Sequence, residues 1–168
     1  MNPRPGQGIP VDMTNDVAGP QPCAEPERRA FDFWIGEWEV RDPNGRLVGR
    51  NTITTLFDGC ALREEWRGES GHRGTSLNAW SPRRRAWLQT WVDATGLVLE
   101  LEGGPVDGAM VLEGDAALPG ADEPVRRHRI SWSVVDGDPD RVRQHWEASE
   151  SDGGWQTLFD GRYRRVTG

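Results

Sequence analysis

Glu64 is the residue whose type and spacing point most directly to chemistry. In Leu62-Arg63-Glu64-Glu65-Trp66, the two-residue period of a strand puts Leu62, Glu64 and Trp66 on one face and Arg63 and Glu65 on the other. A carboxyl on an apolar wall favours its neutral form, and its pKa rises toward the range of a general acid or base. That chemistry would suit an isomerase, cyclase or hydratase. A register slip of one residue would substitute Glu65. The plainer reading is an outward Arg63–Glu65 pair and no catalysis.

The same alternation collects a wall around Glu64. Ser76, Asn78 and Trp80 share a face, as do Trp87, Gln89 and Trp91. Leu97, Leu99 and Leu101 oppose Glu100 and Glu102. Ile130, Trp132 and Val134 follow with His128, then Val142, Gln144, Trp146 and Ala148, and Tyr163 enters with Phe159. Indole rings left in water would forgo a large burial gain, so these faces point inward. The polar groups Glu64, Asn78, Gln89 and Gln144 then interrupt an apolar interior. Such groups either satisfy one another, sit at wet strand ends, or orient a ligand. On the last reading the ligand-binding set is Trp66, Asn78, Trp80, Gln89, Trp91, His128, Trp132, Gln144, Trp146 and Tyr163, with Glu64 as the one catalytic candidate.

Other chemistries are excluded or weak. All 20 basic residues are Arg, so Schiff-base chemistry, pyridoxal phosphate attachment and a phosphate-loop lysine are absent. There is no Gly-x-Ser-x-Gly elbow and no Gly-x-Gly-x-x-Gly loop. Of the three histidines, His72 falls in a Gly-rich turn, His145 faces outward, and His128 alone faces inward as a conceivable haem ligand. No cofactor is expected, and three scattered histidines do not make a zinc site. Asp136, Asp138 and Asp140 have calcium-loop spacing with Glu147 at the twelfth position. Arg141 stands where that loop requires Gly, so an acidic hairpin turn is the expectation.

The elements that must position these side chains are short strands. Pro43-Asn44-Gly45, Asp58-Gly59, Gly68–Gly74, Ser81-Pro82, Asp93–Gly96, Gly103–Gly108, Gly114–Pro124, Asp136–Asp140 and Ser151–Gly154 are turn signals. Between them lie ten segments: 31–42, 46–57, 60–67, 74–81, 85–93, 97–103, 109–114, 125–135, 141–149 and 155–166. Connections this short make neighbours antiparallel, and an unclosed meander would leave two edges exposed. The expected fold is therefore all-β, an up-and-down meander closed into a barrel. Phe31–Val40 (FDFWIGEWEV) reads as its first strand, with Trp38 plugging one end. Ala24–Ala30 reads as a short helical turn before it. Residues 1–23, rich in Pro and Gly, read as a disordered tail, and 24–168 as one barrel domain. Cys23 and Cys60 read as two unpaired thiols.

With a net charge of −7 and a pI of about 5.0, no nucleic-acid partner is expected, and Arg83-Arg84-Arg85 and Arg126-Arg127 read as solvated strand ends. No apolar run reaches membrane-span length, so membrane insertion is not expected. Met1–Pro26 lacks the apolar core of a secretory signal. The expectation is a cytoplasmic monomer or homodimer.

Gly36-x-Trp38, the regular meander and an arginine on the closing strand (Arg162, Arg164 or Arg165) resemble the lipocalin-like members of the calycin superfamily. Phe31-Asp32-Phe33-Trp34, Gln89–Asp93 and Phe159–Tyr163 are similar to markers of a bacterial group of such barrels, with the similarity spanning residues 30–166. The resemblance implies that the C-terminal arginine packs over Trp38 and that the barrel binds a small apolar or amphipathic molecule. It carries over no catalytic residue. The haem-binding nitrobindin type of barrel is the reason for weighing His128. The sequence thus supports three readings: a carrier or sensor of a small hydrophobic ligand, an enzyme using Glu64 in the same cavity, or a packed barrel acting as a protein-interaction module.

Overall fold

The computed structural model describes residues 22–120 and 122–166. Most of the expected tail, residues 1–21, lies outside the described residues. A four-residue helix α1 (Pro26–Arg29) opens on the proline favoured at a first helical turn. Ten strands follow: β1 (Gly36–Arg41), β2 (Leu47–Leu56), β3 (Ala61–Gly68), β4 (Arg73–Ser81), β5 (Ala86–Asp93), β6 (Val98–Val106), β7 (Ala109–Ala117), β8 (Val125–Val135), β9 (Asp138–Ser149) and β10 (Trp155–Arg165). Each pairs antiparallel with its sequence neighbours. β1 also pairs with β10, Trp38 opposite Arg165 and Val40 opposite Tyr163, which closes the barrel. The all-β closed meander is as expected, and closure leaves no unpaired sheet edge. No helix among the described residues is long and apolar enough to cross a membrane.

Turns form where the sequence relaxes the φ restriction. Asp107-Gly108 and Asp136-Gly137 both have positive φ, the conformation a two-residue hairpin demands. Several expected turns are shorter than anticipated, among them Gly114–Pro124, of which Gly114–Ala117 belongs to β7. Gly103–Val106 belongs to β6 and Asp138–Asp140 to β9. Asp138 accepts the Asp140 backbone N–H at 2.9 Å, and Asp140 binds Arg165, so these carboxylates serve the hairpin.

The first expected strand is wrong at its start. Asp32–Trp34 is a single 3-10 helical turn, and the strand begins only at Gly36. Phe31 and Trp34, three residues apart, therefore point the same way, as a three-residue turn requires. Both are fully buried and seal the barrel base with Trp87, Trp132 and Trp38. Phe31 stacks on Trp34 at 4.9 Å and meets Trp132 and Trp87 edge-on at 5.1 and 5.6 Å. Such pairs contribute about 0.5–1.5 kcal/mol each beyond burial. Indole N–H groups tie the plug down: Trp38 donates to Trp34 O and Trp87 to Glu27 O, each at 2.9 Å.

Gly36 is required by a close approach. Its φ is +142°, and a Cβ there would fall 2.1 Å from Arg165 Nη1. Through that gap Arg165 donates to Ile35 O at 2.7 Å while its guanidinium lies 4.2 Å over the Trp38 ring. Of the three arginines open from the sequence, Arg165 is thus the one on Trp38.

The two cysteines are not free thiols. Cys23 and Cys60 form a disulfide across a sequence separation of 37. The bond fastens the segment before α1 to the turn between β2 and β3, both at the sealed base. The expectation failed because sequence spacing alone says nothing of which distant segments meet.

Candidate functional site

The lumen has two levels. The base is filled by the aromatic plug. Above it, toward the β3–β4 turn, a cavity of about 190 Å³ is lined by Glu64, Trp66, His72, Gln89, Trp91, Leu99, Ile130, Gln144, Trp146, Leu158, Phe159 and Tyr163. Trp66, Trp91, Trp146 and Phe159 make its aromatic wall. Glu64, Gln89, Gln144 and Tyr163 supply its polar groups, all of them buried.

Those polar groups belong to one hydrogen-bonded chain whose members lie on six strands. Gln89 Nε2 donates to Asn78 Oδ1 at 2.6 Å, Asn78 Nδ2 to Ser76 Oγ at 2.9 Å, and Ser76 Oγ to Glu64 Oε2 at 2.6 Å. From the other side Asn51 Nδ2 donates to Glu64 Oε1 at 2.8 Å and to Tyr163 OH at 3.1 Å. Tyr163 OH in turn donates to Gln144 Oε1 at 2.5 Å. Register brings the donors together: Glu64 lies opposite Ser76, and Asn78 opposite Gln89. Closure brings β10, carrying Tyr163, round to β1 and so within reach of β2 and Asn51.

Both Glu64 oxygens are accepting, yet no cationic side chain among the described residues pairs with it. Burial raises its pKa to about 7, against the lowering effect of the Ser76 and Asn51 hydrogen bonds. Burial, with the Glu64 charge adding to it, pushes the Tyr163 phenol well above its ordinary value, so Tyr163 stays neutral. Asn51 Oδ1 is a buried acceptor without a partner among the described residues.

The indoles are held from outside the cavity. Trp91 donates to Asp93 Oδ2 at 3.2 Å, and His72 Nε2 meets the same oxygen at 3.1 Å at the rim. Burial works to raise the Asp93 pKa, but hydrogen bonds from Thr95, His72 and Trp91 outweigh it and keep the pKa low. The Trp91 ring lies against Gly74, where a Cβ would come within 2.2 Å of it. Trp66 meets Phe159 edge-on at 5.8 Å.

Trp146 Nε1 donates to His128 Nδ1 at 3.0 Å, while His128 Nε2 lies 3.1 Å from Ala116 O. An indole N–H only donates and a carbonyl only accepts, so the imidazole is neutral with its proton on Nε2. Burial also lowers its pKa, with the Ala116 hydrogen bond opposing. Both ring nitrogens of His128 are thus engaged by protein groups.

Among the candidates read from the sequence, Glu64, Trp66, Gln89, Trp91, Gln144, Trp146 and Tyr163 converge on the cavity. Asn78 stands behind it in the hydrogen-bonded chain, and His128 behind Trp146. Trp132 belongs to the base plug and Trp80 packs against the core, both away from the cavity lining. Glu64 rather than Glu65 faces in, and Glu65 pairs outside with Arg63 at 3.3 Å. Asn51 was missed, although it shares the strand parity of inward Ile53. Leu158 was missed for a better reason: a bulge between Thr157 and Phe159 breaks the alternation.

No family model matches this chain, and no curated protein matches it either.

Proposed function

We propose that the protein is a lipocalin-like binding barrel that takes up a small hydrophobic or amphipathic molecule in the Trp66–Trp91–Trp146 cavity. The observation that carries this reading is the division of the lumen. The lower half is occupied by the buried Phe31, Trp34, Trp38, Trp87 and Trp132 plug, whereas the upper half keeps an aromatic-walled space above an organised polar floor. An apolar cavity of about 150 Å³ takes benzene, so the 190 Å³ here suits a ligand with one ring or a short chain. Native mass spectrometry of protein purified from its own host, with Trp fluorescence titrations of single-ring compounds, tests it. A stoichiometric small molecule is expected. An empty protein whose fluorescence no such compound moves would leave a packed barrel that binds protein partners through its outer face.

A second reading rests on Glu64 alone. A carboxyl titrating near neutrality in a ligand cavity is equipped to move a proton to or from a bound molecule. Recovery of the bound compound chemically altered, and unaltered from Glu64→Gln, would favour the enzyme over the carrier.

The Cys23–Cys60 disulfide bears on where the barrel works. Disulfides persist in oxidising compartments and are rare in reducing cytosol. We therefore read its compartment as oxidising, in place of the cytoplasm expected from composition.

A further inference from the structure

We infer that the cavity is built for a small organic ammonium ion, with the Glu64 carboxylate as its counter-ion and the tryptophan faces as its cage. This rests on the cavity-binding reading above and names the ligand's charge.

Three observations converge on it. First, the lining is electrostatically one-sided. Its ionisable groups are Glu64, the neutral Tyr163 and, at the rim, His72 held against Asp93. No arginine among the described residues lines it, and the chain has no lysine. An anionic headgroup entering this space would meet a carboxyl and no cation. Second, Trp66, Trp91, Trp146 and Phe159 line the cavity, and aromatic rings attract a cation through the ring quadrupole, most strongly at Trp and in desolvated sites. Third, Glu64 is buried with hydrogen bonds to both oxygens but without the positive partner that buried carboxylates ordinarily have. Each oxygen of a carboxylate has a second lone pair. No described side chain donates to Gln89 Oε1, because Gln89 turns its amide N–H toward Asn78. An ammonium N–H above the floor would find these acceptors.

The electrostatics outside the cavity point the same way. The chain carries a net charge of −7, and Asp93 stays ionised at the rim, so cations are drawn toward the mouth. The groups packed against Glu64 are Asn51, Ser76 and Tyr163, none of which is charged. Its protonation therefore responds to the ligand rather than to a protein neighbour. A bound ammonium holds Glu64 ionised, and below neutrality its arrival expels the Glu64 proton.

Calorimetric titration with three probes of one size tests this: benzylammonium, benzyl alcohol and benzoate, against wild type and Glu64→Gln. Benzylammonium is expected to bind wild type at least tenfold more tightly than benzyl alcohol, with benzoate weakest. That preference should vanish in Glu64→Gln. In wild type, benzylammonium should bind about tenfold more weakly at pH 6 than at pH 8, as Glu64 takes up its proton. Benzyl alcohol or benzoate binding as tightly as benzylammonium would overturn the ammonium assignment and leave the cavity-binding reading intact. Failure of all three to bind would overturn both. Should Glu64→Gln fail to fold, the wild-type probe series and its pH dependence decide the matter alone.

Discussion

Glu64 and Ser76 face each other across β3 and β4, and the Ser76 hydroxyl donates to the Glu64 carboxyl at 2.6 Å on the cavity floor. The contact favours the charged carboxylate, whereas the surrounding burial favours the neutral acid, and burial prevails. The folded protein thus holds a proton on Glu64 up to about pH 7, where the unfolded chain releases it near 4.5. Folded chains bind more protons across that window, so this group's contribution to stability falls as pH rises from about 4.5 to 7. The loss amounts to about 3 kcal/mol for a shift of this size. Glu64→Gln should remove that slope and be the more stable protein at pH 8. Urea denaturation of both proteins at pH 5 and pH 8 reads the difference directly; parallel pH profiles would show that Glu64 does not titrate in this range.

Arg165, on the last strand, ties it to the first strand and to β9 by binding Ile35 O, Asp140 and the Trp38 ring together. Arg165→Ala should cost about 2–4 kcal/mol, combining a charged hydrogen bond with a cation–π contact. Arg165→Lys should recover part of it, since an ammonium keeps the charge but not the planar fork. Denaturant midpoints of the three proteins would reveal this order, and an unchanged Arg165→Ala would show that strand pairing alone closes the barrel.

The Cys23–Cys60 bond closes a loop set by its separation of 37 residues. Loop-closure entropy for that length corresponds to about 3–4 kcal/mol. Cys60→Ser, or reduction of the wild type, should lower the melting temperature accordingly. Alkylation of thiols in freshly lysed host cells, followed by mass analysis, should find both cysteines protected. Free thiols there would return the protein to a reducing compartment.

Gly74 lies beneath the Trp91 ring, and an added Cβ would stand 2.2 Å from it. Gly74→Ala should therefore push Trp91 off the wall, break its bond to Asp93, and destabilise the fold by about 1–3 kcal/mol. Ligand affinity should fall at the same time. A variant with wild-type affinity for the ligand, measured by fluorescence titration, would remove Trp91 from the binding wall.

Much of the barrel was legible in the residues themselves. The two-residue period of a strand assigns faces without any knowledge of partners, so Glu64, Asn78, Gln89, Trp91, Gln144, Trp146 and Tyr163 could all be placed inside. Asn-Gly and Asp-Gly mark turns through a backbone preference that is equally local. What depended on contacts between distant segments was not legible. Alternating aromatics in Phe31–Trp34 satisfied a strand pattern, but the open base of a closed barrel holds them in a 3-10 turn. Cys23 and Cys60 carry no mark of pairing until the chain is folded around the base. The link from Gln89 to Gln144 through Glu64 needed strand register and barrel closure, because no two successive members share a strand except Ser76 and Asn78. Side-chain periodicity is a property of one strand, whereas a polar network and a cavity belong to the space between strands. The sequence determined which groups enter that space; tertiary structure decided which of them meet.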